Sequence, residues 1–325
     1  MANYKELEGF SVQTLATDPD NPSWVGSIFY NSTSGTFKTV KPGGIAVGTW
    51  ASGGDMNTAR YYGGGAGPQT SNISVGGLNP SGYLNSVETY NGSSWSNVTG
   101  INTTRLGAGV FADVNTAALA AGGEIPAATA TTAVVESWNG SAWTEVSDLN
   151  TARYAGQAQM GNPTAAILAG GNPAFANTES WNGTSWTEVN DLNTARGNAG
   201  SAGTTTSAIV AGSVPAPPNS ETWDGTSWTT ISGTSSPGSF GRKGGGTSSS
   251  SAIMSGSNPT TNFTEYWDGT SWTEVAEMAT VRNTGTGGGT ATAAIYASGG
   301  TPGGPVATTE EWNAPDLVIN TLTTS

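Results

Sequence analysis

The chain has 325 residues, with 23 acidic and 10 basic side chains, a formal net charge of −13, and neither Cys nor His. The negative charge argues against a nucleic-acid partner, because phosphates require Lys and Arg. Without Cys or His there is no disulfide, no thiol catalysis and no imidazole ligand or base, and we expect neither a metal nor a cofactor. No apolar run approaches the ~20 residues that cross a bilayer, so no membrane insertion is expected.

Residues 1–42 precede the pattern that governs the rest of the chain. The first ten lack the basic and apolar regions of a signal peptide. Runs 24–30 and 36–40 are rich in aromatic and β-branched residues and flank a turn of Asn, Ser, Thr and Gly, which predicts a β-hairpin. We interpret residues 1–42 as an N-terminal attachment segment and 43–325 as the main domain. The alternative is a frayed end with one hairpin.

A repeat fills the main domain. Residues 179–196 read ESWNGTSWTEVNDLNTAR, and related units recur at steps of 48, 43, 42, 44 and 45 residues. The leading glutamates are Glu88, Glu136, Glu179, Glu221, Glu265 and Glu310. Residues 50–60 form the second half of one more unit, in phase with the others. A period of about 40 to 50 residues is typical of the blades of a β-propeller.

Each repeat contains four candidate strands. In the unit after Arg153 they are residues 154–160, 164–171, 177–181 and 185–189, with a hairpin turn at 182–184. First strands are Gly-rich, second strands Ala-rich, and third and fourth strands carry Trp. This gradient fits sheets that radiate from a crowded axis. The sequence therefore predicts an all-β, six-bladed propeller, with seven blades as the alternative if residues 24–50 build part of an extra one.

The last unit lacks an obvious fourth strand. Trp312 occupies a third-strand position, and its partner could be 317–319 or 49–50. Only Trp50 supplies the expected Trp, so we predict that the strand around Trp50 completes the last blade. Such closure removes free sheet edges.

The repeat resembles the kelch family of β-propellers. That family's pattern has a basic residue opening the blade, a Gly-Gly pair after the second strand and aromatics in the third and fourth strands. Here these correspond to Arg153, Gly170-Gly171, Trp181 and Trp186. Two later units depart from it, since they read Gly212-Ser and Ser-Gly256-Ser, and Arg242 is displaced from its expected position.

The amino-acid sequence of the repeats and their flanks also resembles a subgroup of kelch-like proteins from bacteriophage virions. The similar segments are SIFYNSTSGTFK before the repeats, the DMNTAR and DLNTAR units, and the ending TEEWNAPDLVINTLTTS. The resemblance implies a structural virion protein of the tail, such as a tail fibre, or of the capsid surface. It would be present in multiple copies, docked on other virion proteins through residues 1–45, with its propeller exposed to a host glycan or receptor. The rival is a secreted bacterial propeller that binds or hydrolyses glycans.

Residues that repeat once per unit are interpreted as structural, because a fold needs one copy per blade and a single site does not. We expect each Arg to reach a carboxylate or carbonyl groups, and each Trp to pack between blades. The set is Arg60, Arg105, Arg153, Arg196, Arg282, Glu88, Glu136, Glu179, Glu221, Glu265, Trp143, Trp186, Trp228 and Trp272.

Candidate binding residues lie in the loops after the second strands, which differ most among the repeats and all contain Pro. Insertions in repeat proteins gather on one face, often the binding face, although ordinary surface drift would also produce this variation. The candidates are Asn79, Tyr83, Glu124, Asn172, Phe175, Pro215, Asn258 and Thr301.

Enzymatic activity is not expected. The turns at Asp224 and Asp268 fit a hairpin better than the Asp-box of sialidases, and the alternating carboxylates of a Ca²⁺ loop are absent. Glycoside hydrolysis needs two carboxylates about 5 to 10 Å apart. Asp113 and Glu124 are unrepeated acids, but nothing in the sequence pairs them.

Overall fold

The computed structural model describes residues 12–20, 22–43, 47–127, 130–154, 158–212, 219–234, 243–257, 260–315 and 317–322. The chain divides into two compact units: unit 1 is residues 1–48 with 314–325, and unit 2 is residues 49–313. These boundaries differ from the predicted division at residue 42. The strand Leu317–Thr321 pairs with Thr36–Pro42, so the end of the chain belongs with unit 1 rather than with the repeats.

Unit 1 contains one sheet of four strands, in the order Gln13–Leu15, Ile28–Asn31, Thr36–Pro42 and Leu317–Thr321. The predicted hairpin is present, but Trp24 lies in the short 3-10 helix Pro22–Trp24 instead of its first strand. Phe29 and Val40 are buried on one face of the sheet, where Trp24 packs edge-on against Phe29. Among the described residues no helix is long and apolar enough to cross a membrane.

Unit 2 contains six four-stranded antiparallel sheets in its described part. Sheet 1 is Gly64–Ala66, Asn72–Val75, Val87–Tyr90 and Trp95–Val98; sheet 2 is Gly109–Val114, Ala117–Ala121, Val135–Trp138 and Trp143–Val146; sheet 3 is Gln159–Asn162, Ala165–Ala169, Thr178–Trp181 and Trp186–Val189. Sheet 4 is Gly200–Gly203, Ala208–Ala211, Ser220–Trp223 and Trp228–Ile231; sheet 5 is Lys243–Ser248, Ser251–Ser257, Thr261–Trp267 and Trp272–Glu274; sheet 6 is Thr286–Gly289, Ala293–Ala297, Thr309–Asn313 and Thr49–Ser52.

The first strands of consecutive sheets contact one another in cyclic order, from sheet 1 to sheet 6 and back to sheet 1. This arrangement is a β-propeller. Its hydrophobic core lies between neighbouring sheets, where the tryptophans of one sheet pack on aliphatic side chains of the sheet before it. Trp181 and Trp186, for example, are cross-strand partners with ring centroids 5.4 Å apart, and Trp186 contacts Phe111 of sheet 2. Large aromatics thus fill the wide outer space and small residues the narrow centre.

The strand around Trp50 completes sheet 6, as predicted. Thr49–Ser52 pairs antiparallel with Thr309–Asn313, placing Trp50 opposite Trp312 with ring centroids 5.7 Å apart. The other proposed partner, the strand beginning at Leu317, pairs in unit 1 instead. The ring of unit 2 is therefore closed by joining a strand near its start to one at its end.

The predicted first strand of sheet 3 begins too early. The structure starts this strand at Gln159, whereas the prediction began at Tyr154. Tyr154 makes an isolated bridge to Asn172, as Tyr61 does to Leu78. In four other sheets the second residue after the blade-opening arginine is described, and there the chain turns through a left-handed residue before entering the sheet. That residue is Tyr62 in sheet 1, Gly107 in sheet 2, Asn198 in sheet 4 and Thr284 in sheet 6.

Each blade-opening arginine of the described part forms a buried ion pair with the third-strand glutamate of the sheet it precedes. The pairs are Arg60–Glu88, Arg105–Glu136, Arg153–Glu179, Arg196–Glu221 and Arg282–Glu310. The N–O distance is 2.6 Å for Arg153–Glu179 and 2.9 Å for Arg196–Glu221. Burial lowers the pKa of Arg153, and the adjacent charge of Glu179 opposes that shift.

The glutamate of each pair has further donors. Both carboxylate oxygens of Glu221 accept backbone N–H bonds from Asn193 and Thr194, and the Asn193 amide also donates to Glu221 and to the carbonyl of Trp228. A buried charge is tolerable only when it is paired and its hydrogen bonds are satisfied. The repeated Asn-Thr-x-Arg sequence therefore provides a complete set of donors for one carboxylate.

We expect Arg196→Ala to lower the free energy of unfolding by about 3–5 kcal/mol, because it leaves Glu221 buried without its cation. Urea denaturation followed by Trp fluorescence measures the loss. Lys41→Ala, at an exposed lysine, is the control. The double variant Arg196→Met with Glu221→Met should be more stable than Arg196→Ala, because it removes both charges. A loss below about 1 kcal/mol for Arg196→Ala would contradict a stabilising role for the pair.

We also expect residues 49–313 to unfold cooperatively as an isolated protein, whereas residues 53–313 should not. The shorter fragment lacks Thr49–Ser52, so the strand Thr309–Asn313 becomes an unpaired edge. Size-exclusion chromatography and thermal denaturation of the two fragments provide the comparison. Equal behaviour of both fragments would show that the closing strand is dispensable.

Candidate functional site

In the described part of the chain, short hairpins extend three of the sheets on the face where second strands connect to third strands, called here the loop face. They are Leu78–Asn79 with Gly82–Tyr83 on sheet 1, Glu124–Ile125 with Ala130–Thr131 on sheet 2, and Gly300–Thr301 with Gly304–Pro305 on sheet 6. Sheets 6, 1 and 2 are consecutive in the ring. The three hairpins therefore lie side by side.

The buried arginines hold both ends of these hairpins. The Nη1 atom of Arg60 donates to the carbonyls of Gly76 and Ser86, each at 2.9 Å, and these two residues flank the hairpin of sheet 1. Arg105 binds Gly122 and Val134 in the same way, and Arg282 binds Ser298 and Thr308. The repeated arginine thus fixes a loop whose sequence differs from sheet to sheet.

Aromatic side chains and one carboxylate gather on the loop face of sheets 1 to 3. We call Tyr61, Tyr62, Tyr83, Tyr154 and Glu124 the tyrosine cluster. Tyr61 and Tyr62 have ring centroids 5.4 Å apart, and Tyr62 meets Tyr154 edge-on at 5.9 Å. The Tyr83 hydroxyl donates a hydrogen bond to Glu124, joining the hairpins of sheets 1 and 2. Tyr154 is buried, and the other four side chains are half-buried.

A glycine makes this packing possible. A Cβ atom at Gly107 would lie 2.0 Å from Cε2 of Tyr154, so the Tyr154 ring occupies the space that any other residue would need. Gly107 also adopts a positive φ of 63°. Its amide donates to the carbonyl of Tyr62, whose own amide donates to Thr284. Backbone hydrogen bonds therefore link sheets 6, 1 and 2 beneath the cluster.

Burial and the neighbouring Glu124 raise the pKa of three tyrosines of the cluster. The hydrogen bond to Glu124 raises the pKa of Tyr83 to about 12. Burial raises the pKa of Tyr62 and that of Tyr154, and the negative charge of Glu124 adds to both shifts. Tyr62, Tyr83 and Tyr154 are consequently neutral phenols across the neutral pH range.

The predicted binding residues fall into three groups. Asn79, Tyr83, Glu124 and Thr301 lie on the three adjacent hairpins, and Tyr83 contacts Glu124 directly. Asn172 and Phe175 lie on the corresponding loop of sheet 3, where the Phe175 ring lies 5.9 Å from the guanidinium of Arg153. The last group is outside the described residues and consists of Pro215 and Asn258.

Sequence reasoning missed Tyr61, Tyr62 and Tyr154, because it searched only the loops after second strands. A signal was present in the residues that follow each arginine. They are Tyr-Tyr after Arg60 and Tyr after Arg153, but Leu-Gly after Arg105, Gly-Asn after Arg196 and Asn-Thr after Arg282. A residue that departs from the repeat at a fixed phase is not required by the repeated fold.

A cavity of about 330 Å³ lies between the first strands of all six sheets, toward the face opposite the hairpins. The Gln159 side chain of sheet 3 crosses it and donates from Nε2 to the carbonyl of Gly65 in sheet 1, at 2.9 Å. Lys243 also lines this cavity, and burial lowers the pKa of its amine to about 7. The cavity is thus distinct from the tyrosine cluster, whose members do not line it.

The two unrepeated acids are not neighbours. Asp113 lies in the first strand of sheet 2 near its turn and lines the central cavity, whereas Glu124 begins the hairpin at the other end of that sheet. The pair therefore lacks the close facing arrangement that two-carboxylate glycoside hydrolysis uses. Within the described ranges, no three carboxylates come close enough together to hold a metal ion.

Comparisons with known proteins agree on the fold and add no family. No protein-family model matches the chain, and no curated protein matches it. Among solved structures, the structure of YjhT superposes with a TM-score of 0.67 at 14% sequence identity, over 82% of this chain and 99% of YjhT. YjhT has a β-propeller-like structure, so the similarity supports a β-propeller fold and nothing finer.

We expect the free energy of unfolding to rise between about pH 7 and pH 9 through Lys243. In the unfolded chain a lysine has a pKa of about 10.4, whereas that of Lys243 in the folded protein is about 7. The unfolded state therefore binds more protons at this residue between these values, and stability rises with pH.

Urea denaturation at several pH values tests this expectation. In the Lys243→Met variant, the free energy of unfolding should rise less between about pH 7 and pH 9 than in the unsubstituted protein. The control Lys41→Met, at an exposed lysine, should keep the full rise. Parallel plots of unfolding free energy against pH for the two variants would contradict a lowered pKa of Lys243 in the folded protein.

Proposed function

We propose that unit 2 is a kelch-like propeller in which each of the six sheets is one blade. The repeated Arg, Gly-Gly and Trp positions support the kelch assignment, and the closing strand at Trp50 supports six blades rather than seven. In this proposal residues 24–43 contribute no blade, which accords with the separate sheet that they form in unit 1.

We further propose that the chain is a non-enzymatic structural protein of a bacteriophage virion, on the surface of the tail or the capsid. Its N-terminal unit docks on other virion proteins in multiple copies, and its propeller is exposed for contact with a host glycan or receptor. The resemblance of the repeat sequences to those of kelch-like virion proteins supports this location on a virion. A distribution of exposed apolar side chains supports the docking role.

That distribution is the observation on which the proposal rests. Of the eight large hydrophobic side chains that are exposed among the described residues, six belong to unit 1, although it is much the smaller unit. They are Val12, Val25, Ile28, Phe37, Val47 and Leu322. Exposed apolar patches on a small protein unit mark interaction surfaces.

Two side chains of this group share one face of the N-terminal sheet with Tyr30. Ile28 is 50% exposed and Phe37 is 49% exposed, and strand alternation places both on the face that carries Tyr30. Tyr30 and Phe37 are cross-strand partners with centroids 5.1 Å apart. The opposite face buries Phe29 and Val40, so this sheet has one packed face and one open apolar face.

The second candidate is a bacterial carbohydrate-binding propeller that is not part of a virion. The tyrosine cluster favours carbohydrate binding in either setting, because aromatic rings and a carboxylate are suited to sugars. The separation of Asp113 from Glu124 favours binding over hydrolysis. The two candidates differ in where the chain resides.

Mass spectrometry of purified particles from the source distinguishes these candidates. We expect the chain at a fixed copy number in intact particles. Double substitution Ile28→Asn with Phe37→Ser should reduce incorporation by about 10-fold or more, since buried interface anchors are worth roughly 2 kcal/mol each.

Val281→Asn is the control, because Val281 is also an exposed apolar residue, at 42%, but lies in unit 2. Circular dichroism of each purified variant checks that it folds. Absence of the chain from particles, or equal incorporation of both variants, would contradict the docking proposal.

A further inference from the structure

The tyrosine cluster lies on a scaffold that does not require it. Equivalent sheets place Leu-Gly, Gly-Asn or Asn-Thr where sheet 1 has Tyr61-Tyr62, and they form the same left-handed turn. Their clamping arginines are also present. The fold therefore does not depend on the rings of Tyr61 and Tyr62 at this turn, and the partial exposure of Tyr61, Tyr62 and Tyr83 forgoes the apolar contact that full burial would give.

The exposed groups of the cluster match the chemistry of a sugar. An aromatic ring packs against the C–H face of a pyranose, while a carboxylate accepts hydrogen bonds from its hydroxyl groups. Glu124 accepts one bond from Tyr83 and has acceptor capacity for others, because a carboxylate has about four lone-pair positions. Asn79 and Thr301 lie on the hairpins of sheets 1 and 6, where Asn79 accepts a hydrogen bond from the Ser81 amide and Thr301 donates one to the carbonyl of Gly304.

The charges on this face determine which sugars fit. Glu124 is the only charged side chain in the sequences of the three hairpins, 78–83, 124–131 and 300–305. The arginines that open sheets 1 to 3, Arg60, Arg105 and Arg153, are buried and bound to their own glutamates, so they offer no cation at the surface. A ligand with a carboxylate or sulfate would meet the negative charge of Glu124 without compensation.

We infer that the tyrosine cluster is a binding subsite for a neutral saccharide, with a pyranose ring against the exposed tyrosines and Glu124 accepting hydrogen bonds from its hydroxyls. This inference deepens the proposed contact with a host glycan by assigning its chemical class. Tyr83 holds Glu124 in place through its hydroxyl. Anionic sugars such as uronic acids are excluded by charge rather than by shape.

Saturation-transfer NMR with the full chain tests the inference. The probes are methyl glycosides of glucose, galactose and mannose, each compared with the uronate that differs from its parent sugar only at C6. We expect at least one neutral glycoside to bind, with its uronate counterpart at least about 10-fold weaker.

Two substitutions separate the roles of the cluster. Glu124→Gln keeps the side-chain volume but removes the charge. It should lower the affinity for the neutral glycoside by about 10-fold or more, and it should reduce the ratio between the affinities for the glycoside and its uronate. Tyr61→Ala should lower the affinity for the neutral glycoside and for its uronate. Tyr30→Ala, at a half-buried tyrosine of unit 1, is the matched control and should leave binding unchanged.

Absence of binding by every neutral glycoside at tens of millimolar would overturn the inference, as would binding that Glu124→Gln and Tyr61→Ala leave intact. Preference for the uronates would also overturn it. These outcomes do not depend on the virion assignment, because they are measured on the isolated protein. The chain can therefore be absent from particles and still bind a neutral saccharide, or be present in particles and bind none.

Discussion

The buried ion pair between a blade-opening arginine and a third-strand glutamate is the interaction on which unit 2 depends. One guanidinium joins the carboxylate of the third strand to the carbonyls at both ends of the loop between the second and third strands, as Arg60 does with Glu88, Gly76 and Ser86. Removing both charges from water is costly, and the cost is offset when the geometry is good and further hydrogen bonds satisfy the buried groups. The same clamp is present in the five sheets whose blade-opening arginine is described.

This clamp explains how a regular fold can carry an irregular surface. Because the loop ends are held by the arginine, the residues between them are free to differ from sheet to sheet without loss of the scaffold. Sheets 1, 2 and 6 use that freedom for short hairpins, and Tyr83 of one hairpin binds Glu124 of the next. Repeated residues therefore account for the fold, and departures from the repeat account for the tyrosine cluster.

The two ends of the repeat region meet within one sheet. Thr49–Ser52 joins Thr309–Asn313, so the chain enters and leaves unit 2 at neighbouring strands. The flanking segments then form the sheet of unit 1, in which Thr36–Pro42 pairs with Leu317–Thr321. Burial on one face of that sheet and exposure of Ile28 and Phe37 on the other give unit 1 a surface suited to docking.

The sequence by itself determined the all-β class, the period, the identity of the repeated Arg, Glu and Trp residues, and the strand that completes the last sheet. These features are periodic, and periodic burial leaves a readable pattern in one chain. Only the tertiary structure decided that Leu317–Thr321 belongs with unit 1 and that Tyr61, Tyr83 and Glu124 share one surface. Such contacts join residues from different repeats, and their positions depend on how the sheets are arranged around the axis, which no local pattern records.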